Sequence, residues 1–184
     1  MPGGGGSRLP LEEVIATTAE AEAALWRYCL DVDLVWRVRA DNVALDTALR
    51  WLLGDARRLQ VRAMHDLVWV CLLDPAVALT SRTYQVADRV VIEVVGPPVP
   101  VLPGPAPPSR WALEAGPGGA ECHPTADLAD LAIDLADLGS AWMGGTRVDT
   151  LARAGRVAEL RPGPVARADA LFATDRSPWS ATQF

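Results

Sequence analysis

Thirteen residues near the middle of the chain constrain its fold more than any others. Residues 96–108 (GPPVPVLPGPAPP) hold seven prolines. Proline has a fixed φ and no backbone N–H, so this stretch can enter neither a helix interior nor a central strand. It reads as a stiff, extended surface loop. Its PxxP spacings would also suit an aromatic groove, but a plain loop is the simpler reading. Before it, residues 89–95 (RVVIEVV) are strongly β-branched and read as a strand. After it, residues 111–115 and 120–123 flank Gly116-Pro117-Gly118-Gly119, the signature of a hairpin turn.

Upstream, residues 11–17 (LEEVIAT) alternate weakly as a strand. Thr17 or Thr18 caps a helix over 19–31, with Glu20 and Glu22 near its positive end. Residues 35–39 alternate as a second strand. Asp46 caps a short helix through Leu53, and Gly54 ends it. Residues 59–63 and 67–73 read as two strands around His65-Asp66, the second apolar enough to be buried on both faces. Asp74-Pro75 starts a helix running to about Tyr84. Trp26, Trp51, Trp69 and Trp111 all fall in these elements, which favours burial.

Half of the residues are hydrophobic, enough for a substantial core. The net charge of −6 argues against nucleic acid as a partner. All 17 basic residues are arginine, a coding bias rather than a function. No apolar run approaches the roughly 20 residues a membrane span needs, and no signal peptide precedes the first elements. Cys29, Cys71 and Cys122 are odd in number and widely spaced, which fits a reduced, cytoplasmic setting. The opening residues 1–10 (MPGGGGSRLP) read as a flexible lead.

Chemical motifs are sparse. No Cys-x-x-Cys, Gly-x-Ser-x-Gly or P-loop pattern occurs. His65 and His123 are far apart, and the adjacent Cys122-His123 pair is short of the four ligands of a structural zinc site. Cys71, in an apolar stretch, reads as inert core. Asp127, Asp130, Asp134 and Asp137 step by three, four and three, which suggests an acidic helical face exposed to solvent. They do not fit the spacing of a calcium loop, so no metal is expected.

The end of the chain carries the strongest signal. Residues 146–184 (TRVDTLARAGRVAELRPGPVARADALFATDRSPWSATQF) contain two short helical stretches, then Pro178, Trp179 and a final Phe184. Chain ends are loose and polar unless tied down, so an aromatic terminus after Ser-Pro-Trp suggests a docked end. These residues resemble the C-terminus of the Eis (enhanced intracellular survival) family of GNAT N-acetyltransferases. Residues 23–35, 49–59 and 66–84 resemble stretches of the same family.

The resemblance implies an α+β fold: a sterol-carrier-like domain over 63–184, with a mixed or antiparallel sheet and helices on one face. A partial second GNAT-like region over 11–62 would precede it. The sheet is expected from residues 67–73, 89–95, 111–115, 120–123 and 131–135. A helix over 137–143 should end at Gly144-Gly145, and Pro164 should open the last helix. The resemblance also implies that the α-carboxylate of Phe184 is the catalytic base. The family's acetyl-CoA loop (R/Q-x-x-G-x-G/A) is absent here, and neither Tyr28 nor Tyr84 stands in the motif of the catalytic acid. This chain alone is therefore expected to bind no cofactor, although acetyl-CoA serves the parent family.

Three functions remain open on the sequence. The chain is a C-terminal segment of an acetyltransferase that supplies the acceptor-amine pocket, assembly surface and base. Alternatively, it is a free-standing sterol-carrier-like module for a lipid or other hydrophobe, or a non-catalytic subunit completing a GNAT partner. Expected partners are a second copy of the chain or a GNAT domain, with a small amine or hydrophobic ligand.

Overall fold

The structure, a computed structural model, describes residues 7–96 and 109–181. The proline-rich loop, with its PxxP spacings, lies outside the described residues apart from Gly96, as do residues 1–6 of the opening lead. The chain divides into two compact units: Met1–Val68 together with Trp179–Phe184, and Trp69–Pro178.

The first unit holds β1 (Ser7–Glu13), α1 (Ala19–Leu30), β2 (Val35–Asn42) and the single turn α2 (Leu49–Leu52). β1 therefore includes Ser7–Pro10, which the sequence suggested would be flexible. β1 and β2 pair in parallel, ending on Glu13 opposite Asn42. Thr18 caps α1 as its position implied, its Oγ1 accepting from the Ala21 N–H at 3.1 Å. Asp46 does not cap α2; Thr47 Oγ1 accepts from the Leu49 N–H at 3.2 Å instead. Trp26 and Cys29 of α1 and Leu49 of α2 are buried, but little else apolar is.

The second unit holds α3 (Pro75–Thr80), β3 (Asp88–Val95), β4 (Arg110–Gly116), β5 (Gly119–Pro124) and β6 (Leu131–Asp134). α4 (Leu135–Trp142), α5 (Val148–Arg153), β7 (Val157–Glu159) and α6 (Pro164–Phe172) follow. The strands form one sheet in the order β5-β4-β3-β6-β7. β3 runs parallel to β6 and every other pair is antiparallel, so the sheet is mixed. Alternation does the sorting. Val90 and Ile92 of β3, Leu113 of β4 and Leu131 and Ile133 of β6 turn to one face. There they meet Leu79, Leu138, Val148, Leu171 and Phe172 from the helices in a single core. The expected α+β class, with helices against one face of a mixed sheet, is what is found.

Two expectations fail together. Residues 59–63 and 67–73 form no strand, and β7, which was not foreseen, occupies one edge of the sheet instead. Among the described residues, no backbone hydrogen bond involves residues 60–73. Cys71 is exposed rather than core, and Trp69 is 85% exposed, like Trp51 at 83%. Only Trp26 and Trp111 of the four tryptophans are buried. Strand propensity is realised only when another strand supplies the hydrogen-bond ladder.

The aspartate stripe is also corrected. Asp127 is exposed, but Asp130 and Asp137 are buried. Asp130 Oδ1 accepts from Arg161 at 2.5 Å, and its Oδ2 accepts from the Val91 N–H at 2.7 Å. Both Asp137 oxygens accept from Arg156 Nε, at 3.0 and 2.9 Å. A third buried acid, Asp169, pairs with Arg147. The residues that looked like one solvated helical face span a strand, a helix cap and a helix, because β6 ends where α4 begins. The arginines compensate the cost of burying these carboxylates.

Candidate functional site

The one site residue nominated from the sequence, Phe184, lies outside the described residues. What is described is how the chain is delivered to it.

Delivery starts at Arg82, just after α3. Its guanidinium donates to the carbonyl of Trp142, the last residue of α4, and to that of Phe172, the last residue of α6, the latter at 3.3 Å. Helix C-termini carry partial negative charge and unpaired carbonyls, so one cation at two such ends satisfies both. The guanidinium also lies 4.6 Å from the ring centre of Tyr84 and 5.7 Å from that of Phe172. Burial lowers its pKa from the ordinary arginine value, but arginine stays protonated regardless. Tyr84 donates its hydroxyl to the Leu79 carbonyl at 2.8 Å. Burial pushes the phenol well above its usual pKa, so it remains a neutral, structural donor.

Past α6, the chain runs over the end of α4. A Cβ on Gly144, whose φ is +81°, would sit 2.3 Å from the Thr174 side chain, and one on Gly145 would sit 2.8 Å from Pro178. These two glycines let the side chains of Thr174 and Pro178 pack directly against the backbone at the end of α4. Thr174 Oγ1 donates to the Arg176 carbonyl at 2.8 Å, and Gln85 donates to Asp175 at 3.3 Å.

The next residues belong to the first unit. The Trp179 indole N–H donates to Asn42 Oδ1 at 2.8 Å, and Asn42 Nδ2 donates to the Ser180 carbonyl at 3.1 Å. One amide at the end of β2 thus holds two consecutive residues of the tail. Nothing in the sequence around Asn42 (VWRVRADN) marks it for this role. Nor does the sequence single out Arg82. Both act through contacts with residues roughly 60 to 140 positions away, and pattern reading carries no such information.

Acetyl-CoA in a GNAT site is held by free backbone N–H groups at a helix N-terminus. Here four helix starts each have one or two of these groups engaged by a side chain. The side chains of Thr18, Asp74 and Asp134 cap α1, α3 and α4. Gly163 and Val165 at the start of α6 both donate to Glu159 Oε1, at 3.0 and 3.1 Å. At these four helix starts, then, not every N–H that a pyrophosphate would take is free.

No three His, Cys, Asp or Glu side chains of the described residues stand together as a metal site. An open groove of about 320 Å³ is lined by Leu73, Val77, Ala78 and Trp142, with Asp74 and Ser81 at hand. No helix among the described residues is long and apolar enough to cross a membrane.

A five-stranded mixed sheet with helices on one face, preceded by a parallel βαβ fragment, defines the class. The family model described as a sterol carrier protein domain matches residues 75–181, and that of an acetyltransferase (GNAT) domain matches residues 2–73. The chain belongs to the sterol carrier protein domain family, with a GNAT-type segment ahead of that domain. Its relatives include an uncharacterized N-acetyltransferase of Streptomyces coelicolor, 38% identical over 97% of this chain and 42% of that protein. The N-acetyltransferase Eis of Mycobacterium tuberculosis is 32% identical over 95% of this chain and 41% of the relative.

The crystal structure of Eis1 from Mycobacterium abscessus matches with a TM-score of 0.83 at 31% identity, over 97% of this chain and 44% of that one. The resemblance to Eis-type N-acetyltransferases therefore holds. The chain spans about two fifths of the length of the curated relatives it matches.

Proposed function

We propose that this chain is the C-terminal segment of an Eis-like, acetyl-CoA-dependent N-acetyltransferase. In this reading residues 11–62 complete a second GNAT-like region, and residues 63–184 form the sterol-carrier-like domain. The segment contributes part of the acceptor-amine pocket, an assembly surface and a general base, the α-carboxylate of Phe184. The donor, acetyl-CoA, binds elsewhere in the complete enzyme, where a helix N-terminus is free to receive it.

The observation that carries this reading is the docked tail. A chain end with no role has no need of a glycine pair to let it pass and an amide to hold it. An α-carboxyl titrates near 3.3–3.7 in model peptides, so at neutral pH it is ionised and can accept a proton from an amine.

The assembly surface is supported by residues 60–73. Val61, Met64, Leu67, Val68 and Trp69 are exposed there beside an unpaired backbone, and apolar surface of that kind marks contact with another chain or domain. A second copy or a GNAT domain is the expected cover. The three cysteines are unpaired, in keeping with a cytoplasmic setting.

The decisive experiment uses a chimera in which this chain replaces the C-terminal two fifths of the Streptomyces coelicolor relative. Adding one glycine after Phe184 displaces the carboxylate and leaves every side chain in place. Turnover should fall by roughly 10²–10⁴-fold, the usual cost of losing a general base. Unchanged turnover would show that the terminus is a packing anchor and no more.

A further inference from the structure

We propose that Arg8, Trp36 and Arg37 form a binding site for a phosphate monoester on the exposed face of the β1–β2 ribbon. The site stands apart from the reading of Phe184 as a base and does not depend on it.

A bulge builds the site. Ser7 lies opposite Val35 and Arg8 opposite Arg37, so Trp36 is an extra residue of β2 with no partner on β1. Past that point Leu9, Leu11, Val38 and Ala40 are half-buried, while Arg8, Arg37, Arg39 and Asp41 share the exposed side. Strict alternation would send Trp36 to the side away from Arg37. The bulge re-aims it, as an extra residue in one strand does. The ring thereby meets both arginines, with Arg37 Cζ 4.4 Å and Arg8 Cζ 5.8 Å from its centre.

A guanidinium held at a ring keeps its N–H groups for other partners. Among the described residues, neither Arg8 nor Arg37 donates a side-chain hydrogen bond or makes an ion pair. Their neighbour Arg39 pairs with Asp41 at 2.7 Å, and the nearby Asp33 carboxylate accepts from the Leu34 N–H at 2.9 Å. In the second unit, by contrast, Arg89, Arg110, Arg156, Arg161 and Arg167 all pair with carboxylates. Acids are not scarce, since 23 of them stand against 17 arginines. Two like charges in register across a strand pair repel each other, and an anion placed between them removes that cost.

The chemistry of the pair selects the ligand. The planar guanidinium fork matches the oxygens of phosphate and carboxylate. Two forks at one place favour a ligand with two negative charges on one group. A phosphate monoester carries nearly two at neutral pH. A diester carries one, and a dicarboxylate spreads its two over separate groups.

The test titrates the chain as it stands with glycerol 3-phosphate and follows the Trp36 indole N–H by NMR, its resonance assigned through Trp36→Phe. A saturable shift is expected. Dimethyl phosphate and succinate should each bind about fivefold more weakly. Arg8→Gln and Arg37→Gln should each raise Kd about tenfold, and Arg37→Lys, which keeps the charge without the fork, about threefold. Arg50→Gln removes another unpaired charge, from α2, and should change Kd by less than about twofold. All of these side chains are exposed, so the variants should unfold at the native temperature without ligand. A missing or unsaturable shift, equal binding of succinate, or an Arg50→Gln effect as large as that of Arg37→Gln would overturn the proposal. So would co-sedimentation with phosphatidic acid vesicles without a response to glycerol 3-phosphate, which would assign the arginines to a lipid surface.

Discussion

The two units of this molecule use a similar vocabulary of leucine, valine, alanine and tryptophan, and they make different use of it. In Trp69–Pro178, β-branched and aliphatic residues at alternate strand positions meet four helices, and Leu79, Ile92, Leu113 and Leu171 are fully buried. Among the described residues of Met1–Val68, two parallel strands pair only with each other. Tyr28, Trp36 and Trp51 stand in solvent. Parallel sheets normally have both faces covered, so a two-stranded parallel ribbon buries little. The contrast shows that hydrophobic content does not make a core; closure of a sheet by helices does. It also explains the unpaired residues 60–73, whose composition matches β3 but which have no described neighbour to pair with.

The largest expected effect breaks this comparison if it fails. Leu171, fully buried in α6, should cost about 2–5 kcal/mol when cut to alanine. Trp51→Ala, at an exposed site of the first unit, should change stability by less than about 0.5 kcal/mol. Urea unfolding of the two variants measures both. Equal losses would mean that the first unit has a core of its own.

A smaller effect tests the glycines. Gly144→Ala must adopt a left-handed φ and displace Thr174, which should cost about 1–3 kcal/mol and loosen the exit of the tail. Gly54→Ala, in the first unit, meets nothing within 4 Å and should be near neutral. Thermal unfolding compares the pair, and equal midpoints would show that the end of α4 is not closely packed.

The smallest effect concerns thiols and leaves the fold intact. Burial, with a lesser push from Asp74, raises the Cys122 thiol to about 11. A raised pKa keeps the unreactive thiol form, so labelling at pH 8 should be slow and should speed up about tenfold per pH unit toward 10. Exposed Cys71 should label first at every pH. Equal rates at pH 8 would contradict the half-buried setting of β5.

Much of the fold was legible in residues with local consequences. Thr18 as a cap, Pro75 and Pro164 at helix starts, and the glycine turn between β4 and β5 all work through neighbours a few positions away. Phe184 was nominated through family resemblance, since a terminal phenylalanine has no spacing to read. The stripe of four aspartates shows how local reading fails: its helical period was real, but β6 interrupts it, and the partners Arg156 and Arg161 come from beyond α5.

The sequence by itself determined several strands and helix starts, because alternation and caps are written within a few residues, while the α+β class and the one-faced packing of the sheet came with the family resemblance. Only the tertiary structure decided which apolar stretches become strands, which aspartates are buried, and that Asn42 receives the tail. Each of those outcomes depends on a partner distant in the chain, and hydrogen-bond ladders, ion pairs and docking contacts exist only once folding has brought both members together.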